Sequence, residues 1–557
     1  MKRLLFLIGL IPFLSFGQST NASLNEDYYH WLTRYEIKAG RIAPEWFTSI
    51  RPFKRNAIVA FVDSLQKKDN VYSSRSDLFN YEYLRNDNWE WSRAETNNSK
   101  EPVLKKLYTK KSDLAFVDIP DFDLHVNPVL YLGIGKDSRT NEMAIINTRG
   151  VEIRGMIDKK VGFYTYLTDN QMILPSYARD SIYFVIPHEG FWKTFKKSGV
   201  DFIQARGYID FNISKHIYMQ LGHDRTFIGN GYRSLIFSDY SPPNFYLRAN
   251  AKVWKINYLF QLNRFIGNER GSVRGSSAGQ HYPVKYMAFH HASINIGKKF
   301  NLGIFESIVF TPEDSLNNNT FDIGYLNPVI FYRGIEQQSG SSDNALLGLD
   351  FKWNAFKGIS FYGQAVLDEF VINEIRSGKG WWGNKYALQG GVKYIDVAGI
   401  SNLDLQLEVN SVRPYTYSHN TLSNYSNYSQ ALAHPLGANF QELVAIIRYQ
   451  PIPKLNLTAK AFYAKTGRDS TGQNWGSDIL KNNTARQSEY GNVIAQGNKT
   501  NITFIDFTAS YMIKHNLFID VKQIIRKSDS SLPSYNTNTL FTSLSVRWNI
   551  PQRTYEF

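Results

Sequence analysis

The chain is predicted to fold as a closed all-β transmembrane barrel of about 18 antiparallel strands, preceded by a small helical region. Three observations lead there. From about His125 onward, apolar and polar residues alternate in long stretches, and the joins between stretches are short and long in turn. No stretch after residue 17 offers about eighteen consecutive apolar residues, which excludes helical membrane spans. The 37 phenylalanines, 35 tyrosines and 11 tryptophans among 557 residues suit aromatic girdles at two membrane interfaces.

Residues 1–17 have the layout of a cleaved secretory signal: Lys2 and Arg3, then an apolar run to Phe16, with small residues at Ser15 and Gly17. The run is too short to span a bilayer, and Gly9 and Pro12 interrupt it. The sequence has no cysteine, so it carries neither a lipidation site nor a disulfide. Residues 18–124 do not alternate. Within them, 55–68 places Ala57, Ile58, Phe61, Val62 and Leu65 at helical spacing. Residues 76–91 open on Ser/Asp capping types and then align Leu78, Tyr81 and Leu84. This part is expected to be a periplasmic helical region, with Pro120 marking the turn into a barrel that occupies 125–557.

In the barrel, Leu403, Leu405, Leu407 and Val409 alternate with Asp404, Gln406, Glu408 and Asn410. Phe245, Leu247, Ala249, Ala251 and Val253 alternate likewise with Tyr246, Arg248, Asn250 and Lys252. The apolar set must face lipid, because a charge on that face at the midplane costs about 2–4 kcal/mol, and the charged set must face the lumen. Tight joins at 158–159, 212–214, 298–299, 356–357, 452–453 and Lys514 are assigned to the periplasm. Long joins such as 171–199, 312–344 and 467–500 are assigned to the outside. A soluble sandwich would also alternate, but not with this loop rhythm. Leu540, Thr542, Leu544, Val546 and Trp548 form the last outward face. Phe557, beyond Asn549, resembles the terminal aromatic that marks barrels for assembly.

The formal net charge is +14, or +12 once the two basic residues Lys2 and Arg3 leave with the signal. Export removes the chromosome as a partner and no nucleic-acid motif is present, so the basic residues suit anionic glycans or lipid phosphates instead. Gly275 to Gly279 matches G-x-S-x-G, but in a Gly/Ser-rich loop rather than between a strand and a helix. His188-Glu189 lacks the second histidine of H-E-x-x-H, and Ile228-Gly229-Asn230-Gly231 lacks the third glycine of a dinucleotide fingerprint. No catalytic constellation, metal or cofactor is expected.

Two loops, 222–235 and 325–338, mix apolar residues with Arg225, Asn230, Arg233, Arg333 and Glu336. They are expected to fold inward over the lumen with their charges in one polar network, as a plug or as ligand contacts. Lys379, Trp381 and Trp382, with Tyr415, Tyr417, Tyr425 and Tyr428, fall in outer loops. There aromatic rings stack on sugars, or form an interfacial girdle, while cations pair with uronate or phosphate. Arg225, Arg233, Arg333 and Lys379 are expected on the outer side, beside the tryptophan pair.

At these loops the sequence resembles the Wzi family of capsule-assembly outer-membrane proteins, especially its longer relatives, which include a gliding-motility protein. The matching stretches are 221–234 (Leu-Gly-His-Asp-Arg-Thr-Phe-Ile-Gly-Asn-Gly-Tyr-Arg-Ser), 286–290, 325–338, 346–351 and 367–370. The resemblance implies a barrel of about eighteen strands with a periplasmic helical bundle, and a lectin-like role in holding capsular polysaccharide at the cell surface. Sugar-contacting positions do not transfer residue by residue, because the capsule lectins have shorter loops. The resulting expectation is a non-enzymatic outer-membrane barrel that binds or organises an anionic surface polysaccharide. Outer-membrane lipid and other envelope proteins are further partners. Two alternatives stay open: a component of gliding, adhesion or secretion machinery, and a diffusion channel.

Overall fold

Long two-faced strands need neighbours on both edges, and here the ladder meets itself. The computed structural model describes residues 18–68, 71–181, 186–267, 283–311, 323–328, 343–419 and 422–557. Strands β1 (Phe122–Asp137), β2 (Ala144–Ile157), β3 (Val161–Ile173), β4 (Gly199–Asn212), β5 (Ile217–Asp224) and β6 (Asn244–Val253) form the first third of the wall. Then come β7 (Ile256–Ile266), β8 (Val284–Ile296), β9 (Phe300–Phe310), β10 (Asn344–Phe356), β11 (Ile359–Glu369) and β12 (Lys385–Tyr394). The last third is β13 (Leu403–Val412), β14 (Phe440–Ile452), β15 (Leu455–Arg468), β16 (Asn498–Lys514), β17 (Leu517–Ser530) and β18 (Thr537–Trp548). β18 pairs with β1 from Trp548↔Leu130 to Phe541↔Asp137, which closes an 18-strand antiparallel barrel. Among the described residues no helix is long and apolar enough to cross a membrane.

The side-chain period follows the expected alternation. β13 buries Asp404, Gln406, Glu408 and Asn410 while Leu407 and Val409 are exposed, and β18 exposes Leu540, Leu544 and Val546 while burying Thr539, Phe541, Ser545 and Arg547. One mouth carries short turns, including 254–255, where Trp254 takes a positive φ and which the sequence rhythm did not mark. The longer connections lie at the other mouth.

The lumen departs from the expected polar lining. Toward the long-loop mouth its wall is apolar: Phe289 of β8, Phe305 and Val309 of β9, Leu346 of β10 and Val366 of β11 share one buried cluster with Ile236, Phe237 and Leu432 from inward-folded loops. A second cluster joins Phe202, Ile446, Phe462, Phe504 and Ile524 to Tyr555. Wall residues that face packed chain rather than water are free to be apolar.

The N-terminal segment closes the short-turn mouth. Helices α1 (Glu26–Lys38), α2 (Arg55–Lys68), α3 (Arg75–Asp87) and α4 (Trp89–Ser92) surround an aromatic core containing Tyr29, Trp46, Phe53 and Phe61, which reaches Met512 and Phe518 of the wall. α2 has the range read from its spacing. The single helix read over 76–91 is divided at Asn88, whose side chain donates to Leu84 O (2.6 Å) and Tyr28 Oη (2.8 Å). α3 begins with a reciprocal capping box between Ser74 and Asp77. α1 was not foreseen. Its Arg34 pairs with Asp404, with Asp396 (2.5 Å) and with Asp77 (3.3 Å), and its Glu36 pairs with Lys352.

Candidate functional site

The loop after β5 turns into the lumen, where it meets the N-terminal segment. Phe227 and Ile228 pair antiparallel with Arg51 and Ile50, and Gly229 N donates to Ser49 O (2.7 Å). Gly229 has φ +133°, and a Cβ there would lie 2.3 Å from Gln364 Nε2, so the position requires glycine. Ser234 Oγ accepts from Ile236 N (3.1 Å) and Phe237 N (3.2 Å) and donates to Ile228 O (2.5 Å), which turns the chain back on itself. Tyr417 and Tyr425, from the loop after β13, donate to Leu235 O (2.6 Å) and Ile236 O (2.8 Å).

A cavity of about 240 Å³ lies between this loop, α1, residues 187–189, residues 550–557 and the barrel wall. Among its described lining residues, cations outnumber carboxylates seven to four: Arg51, Arg206, Arg225, Arg233, Lys393, Arg448 and Arg553 against Glu26, Glu189, Asp239 and Glu556. Arg233 is buried between Glu442 (3.0 Å) and Glu556 (2.5 Å) and beside the rings of Tyr232, Phe462 and Phe557. Burial opposes its charge, but the two carboxylates outweigh that and raise its pKa. Arg225 donates to His188 O (2.6 Å) and reaches Glu189 (3.3 Å). Burial and Arg225 lower the pKa of His188, which keeps that imidazole neutral. Arg51 has no carboxylate within ion-pair distance among the described residues and lies over Tyr29 (5.3 Å) and Phe227 (5.1 Å). Lys393 Nζ donates to Asn230 O (2.8 Å), and Asn230 Oδ1 accepts from Thr48 Oγ1 (3.3 Å). The result is an aromatic, net-positive cavity suited to carboxylate or phosphate oxygens.

Two expectations need correcting. Arg225 and Arg233 do not sit on the outer side beside the tryptophans, because the apolar residues of their loop draw it into the lumen. Nor do they form one network there: Arg225 pairs with Glu189, Arg233 with Glu442 and Glu556. Arg333 and Glu336 lie outside the described residues, as do the 275–279 motif and the leader 1–17.

The loops at the long-loop mouth form a separate platform. Trp382 N donates to Glu489 O (2.9 Å), its ring lies 4.2 Å from the Arg486 guanidinium carbon, and Trp381 is 5.9 Å away ring to ring. Trp381 folds over Gly383, where a Cβ would come within 2.4 Å of the indole. Lys379 is exposed nearby and its carbonyl accepts from Gly491 N (2.8 Å). Tyr415, Tyr417 and Tyr425 are fully buried, which removes them as free stacking surfaces; Tyr428 is half-buried. Both tryptophans are half-buried, leaving part of each ring accessible.

Sequence reasoning missed the role of residues 549–557. They fold back into the lumen: Arg553 donates to Thr148 Oγ1 (2.8 Å) and Asn170 Oδ1 (2.7 Å), and Tyr555 is buried. The available cue was Pro551, which cannot extend the last strand.

No family model and no curated protein sequence matches the chain. Solved structures match in fold. One is Wzi of Escherichia coli, an outer-membrane protein involved in group 1 capsule assembly and described as a carbohydrate-binding β-barrel. It is 12% identical, the match covers 96% of this chain and 100% of Wzi, and the TM-score is 0.56. Another is the outer-membrane protein OprD of Pseudomonas aeruginosa, 10% identical, with 77% of this chain and 93% of OprD covered and a TM-score of 0.42. The likeness to Wzi at this identity is one of architecture: the chain has an outer-membrane barrel fold.

Proposed function

We propose that this chain is a non-enzymatic outer-membrane barrel that binds or helps organise a surface polysaccharide carrying carboxylate or phosphate groups. One observation carries the reading: the lumen is occupied from both mouths by the chain's own segments, which meet where Ile50–Arg51 pairs with Phe227–Ile228. An interior filled in this way suits a binding scaffold better than a diffusion path. The shared fold with Wzi, described as carbohydrate-binding, supports it, as does the formal charge of +14. In this reading the leader directs export, short turns face the periplasm and long loops face outward. Lys379, Trp381, Trp382 and Arg486 contact the glycan, with Arg333 and Glu336 of the neighbouring long loop as further contacts. Arg225, Asn230 and Arg233 hold the inward loop beneath them.

Calorimetric titration with acidic and neutral polysaccharides at two salt concentrations tests this. Acidic polymers bind more tightly, and their advantage shrinks with salt, because exposed charges are screened beyond about 8 Å. Replacing Trp381 and Trp382 together by alanine weakens binding about tenfold, from two lost ring contacts of about 0.5–1.5 kcal/mol each. Equal binding of neutral and acidic polymers at both salts would overturn the reading. A machinery role has one observation in its favour, the exposed Phe370, Val371, Ile372 and Ile375 on the same outer loop, and it predicts envelope proteins that co-purify with the barrel.

A further inference from the structure

The segment between α4 and β1 leaves the barrel mouth and passes over its rim. Asp113, fully buried, accepts from Asn127 of β1 (2.9 Å) on the lumen side. Five residues earlier, Tyr108 stacks on Trp548, ring centroids 5.2 Å apart and planes 15° apart. Trp548 ends the outward face of β18, so Tyr108 lies against the lipid-facing wall, at the seam where β18 meets β1. Beyond it a tight turn is closed by Val103 N to Leu107 O (2.8 Å) and Leu107 N to Val103 O (2.9 Å). Leu104 and Lys105 at its tip have φ +51° and +58°, the left-handed region that costs non-glycine residues energy. What this turn presents is Leu104, 81% exposed, and Val103, 43% exposed.

Lys100, Lys105 and Lys106 are exposed around that tip, their ammonium groups have no hydrogen-bond or ion-pair partner among the described residues, and Glu101 is the one acid beside them. The same mouth is ringed outside by exposed apolar side chains at strand ends, among them Ile119, Ile157, Trp254, Trp353 and Ile452. An apolar tip collared by lysines and seated beside that ring complements the edge of a leaflet, with hydrocarbon inside and phosphate outside.

We propose that residues 99–111 are a lipid-binding loop. Leu104 enters the acyl region of the phospholipid leaflet at the short-turn mouth, and Lys100, Lys105 and Lys106 contact its anionic headgroups. The proposal rests on the membrane-barrel reading, and its test separates the two. The sequence has no cysteine, so single cysteines can be labelled without background. The variants Leu104→Cys, Val521→Cys on the exposed face of β17 and Thr471→Cys in a long loop each receive an environment-sensitive fluorophore. Each is then reconstituted into phosphatidylcholine vesicles with or without phosphatidylglycerol, and a gel shift on boiling confirms the folded barrel in every case.

Brominated lipid is expected to quench the labels at 521 and 104, the latter by about twofold or more, and to leave 471 unaffected. Adding Lys105→Glu and Lys106→Glu to the 104 variant reduces its quenching in phosphatidylglycerol vesicles and not in phosphatidylcholine alone. A label at 104 that behaves like the one at 471, while 521 is quenched, overturns the lipid-binding loop and leaves the barrel standing. Absence of quenching at 521 as well overturns the membrane reading itself. Equal loss in both lipid compositions on charge reversal overturns the headgroup assignment.

Discussion

At the long-loop mouth, Phe237 of the inward loop meets Phe265 and Phe289 of the wall at ring distances of 6.2 and 6.4 Å. At the short-turn mouth, Arg34, Glu36 and Glu26 of α1 meet Asp404, Lys352 and Arg448. Both places bury chain inside the same barrel, but with opposite chemistry. The inward loop is tied at both ends to adjacent strands, so its position is nearly set; around Phe237 non-directional apolar packing dominates, while Arg233 and Asn230 add polar contacts to Glu442 and Lys393 of the wall. The helical segment joins the wall covalently at the entry to β1, and directional charge pairs fix its orientation. The difference teaches that the filling of a lumen follows tethering as much as polarity.

The sharpest way to break this comparison is to remove one anchor from each half. Arg34→Met leaves Asp404 without its guanidinium partner and Asp396 and Asp77 with Lys38 alone, a loss of about 3–5 kcal/mol of docking free energy. Limited proteolysis should then cleave within the helical segment while the barrel keeps its gel shift on boiling. Phe237→Ala should cost a similar amount, about 3–5 kcal/mol, but lower the barrel's own melting temperature with the helices still protected. Identical proteolysis patterns from the two variants would mean the halves are not separate.

Acid should discriminate next. Burial raises the pKa of Glu26, but Lys460 and Arg448 outweigh it and hold the carboxyl at about 2. His30 lies 2.9 Å from Asp404, yet burial and Arg448 hold its pKa at about 4, so the ring is neutral in the docked state. Both groups therefore bind fewer protons docked than free, and docking weakens as pH falls. The His30 contribution is lost from about 6.5 down through 4, and that of Glu26 from about 4.3 down through 2. Tryptophan fluorescence, dominated in that segment by buried Trp31, Trp46 and Trp89, should shift over this window before the barrel melts. A signal constant down to about pH 3 would contradict the assignment.

The smallest effect sharpens the apolar half. Tyr417→Phe removes the hydroxyl donated to Leu235 O at 2.6 Å and should cost about 1 kcal/mol in thermal or denaturant unfolding. A loss above about 3 kcal/mol would show that polar contacts, rather than packing, hold the loop.

The strands were legible because lipid imposes a two-residue period that no soluble neighbour relaxes, as in Leu403 to Asn410. The inward course of 222–235 was legible too, since Phe227, Ile228 and Leu235 require burial. α1 was hidden because it is buried nearly all round: Tyr28, Tyr29, Trp31, Leu32, Arg34, Tyr35 and Glu36 leave no one-sided apolar stripe to detect. The partners of Arg233 were illegible for another reason. Glu442 and Glu556 lie 209 and 323 residues away in sequence, and spacing carries no information over that range. Of the candidate residues, the Trp381–Trp382 pair declared itself by composition, whereas its cationic neighbour Arg486 depends on how two loops fold together.

The pairing of α1 and α3 with the wall also sets an order of events in time. Glu36 waits for Lys352, Asn80 for Gln450 and Glu26 for Lys460, across separations of 316, 370 and 434 residues. Contacts so distant form late, after loop-closure entropy has been met elsewhere. The residues synthesised early therefore remain without their wall partners until β14 and β15 are in place. Through that interval Glu26, Arg34 and Glu36 are solvated charges, and they keep an aromatic-rich segment in water rather than in aggregates. The groups that lock the finished mouth also keep its stopper dissolved until there is a barrel to close.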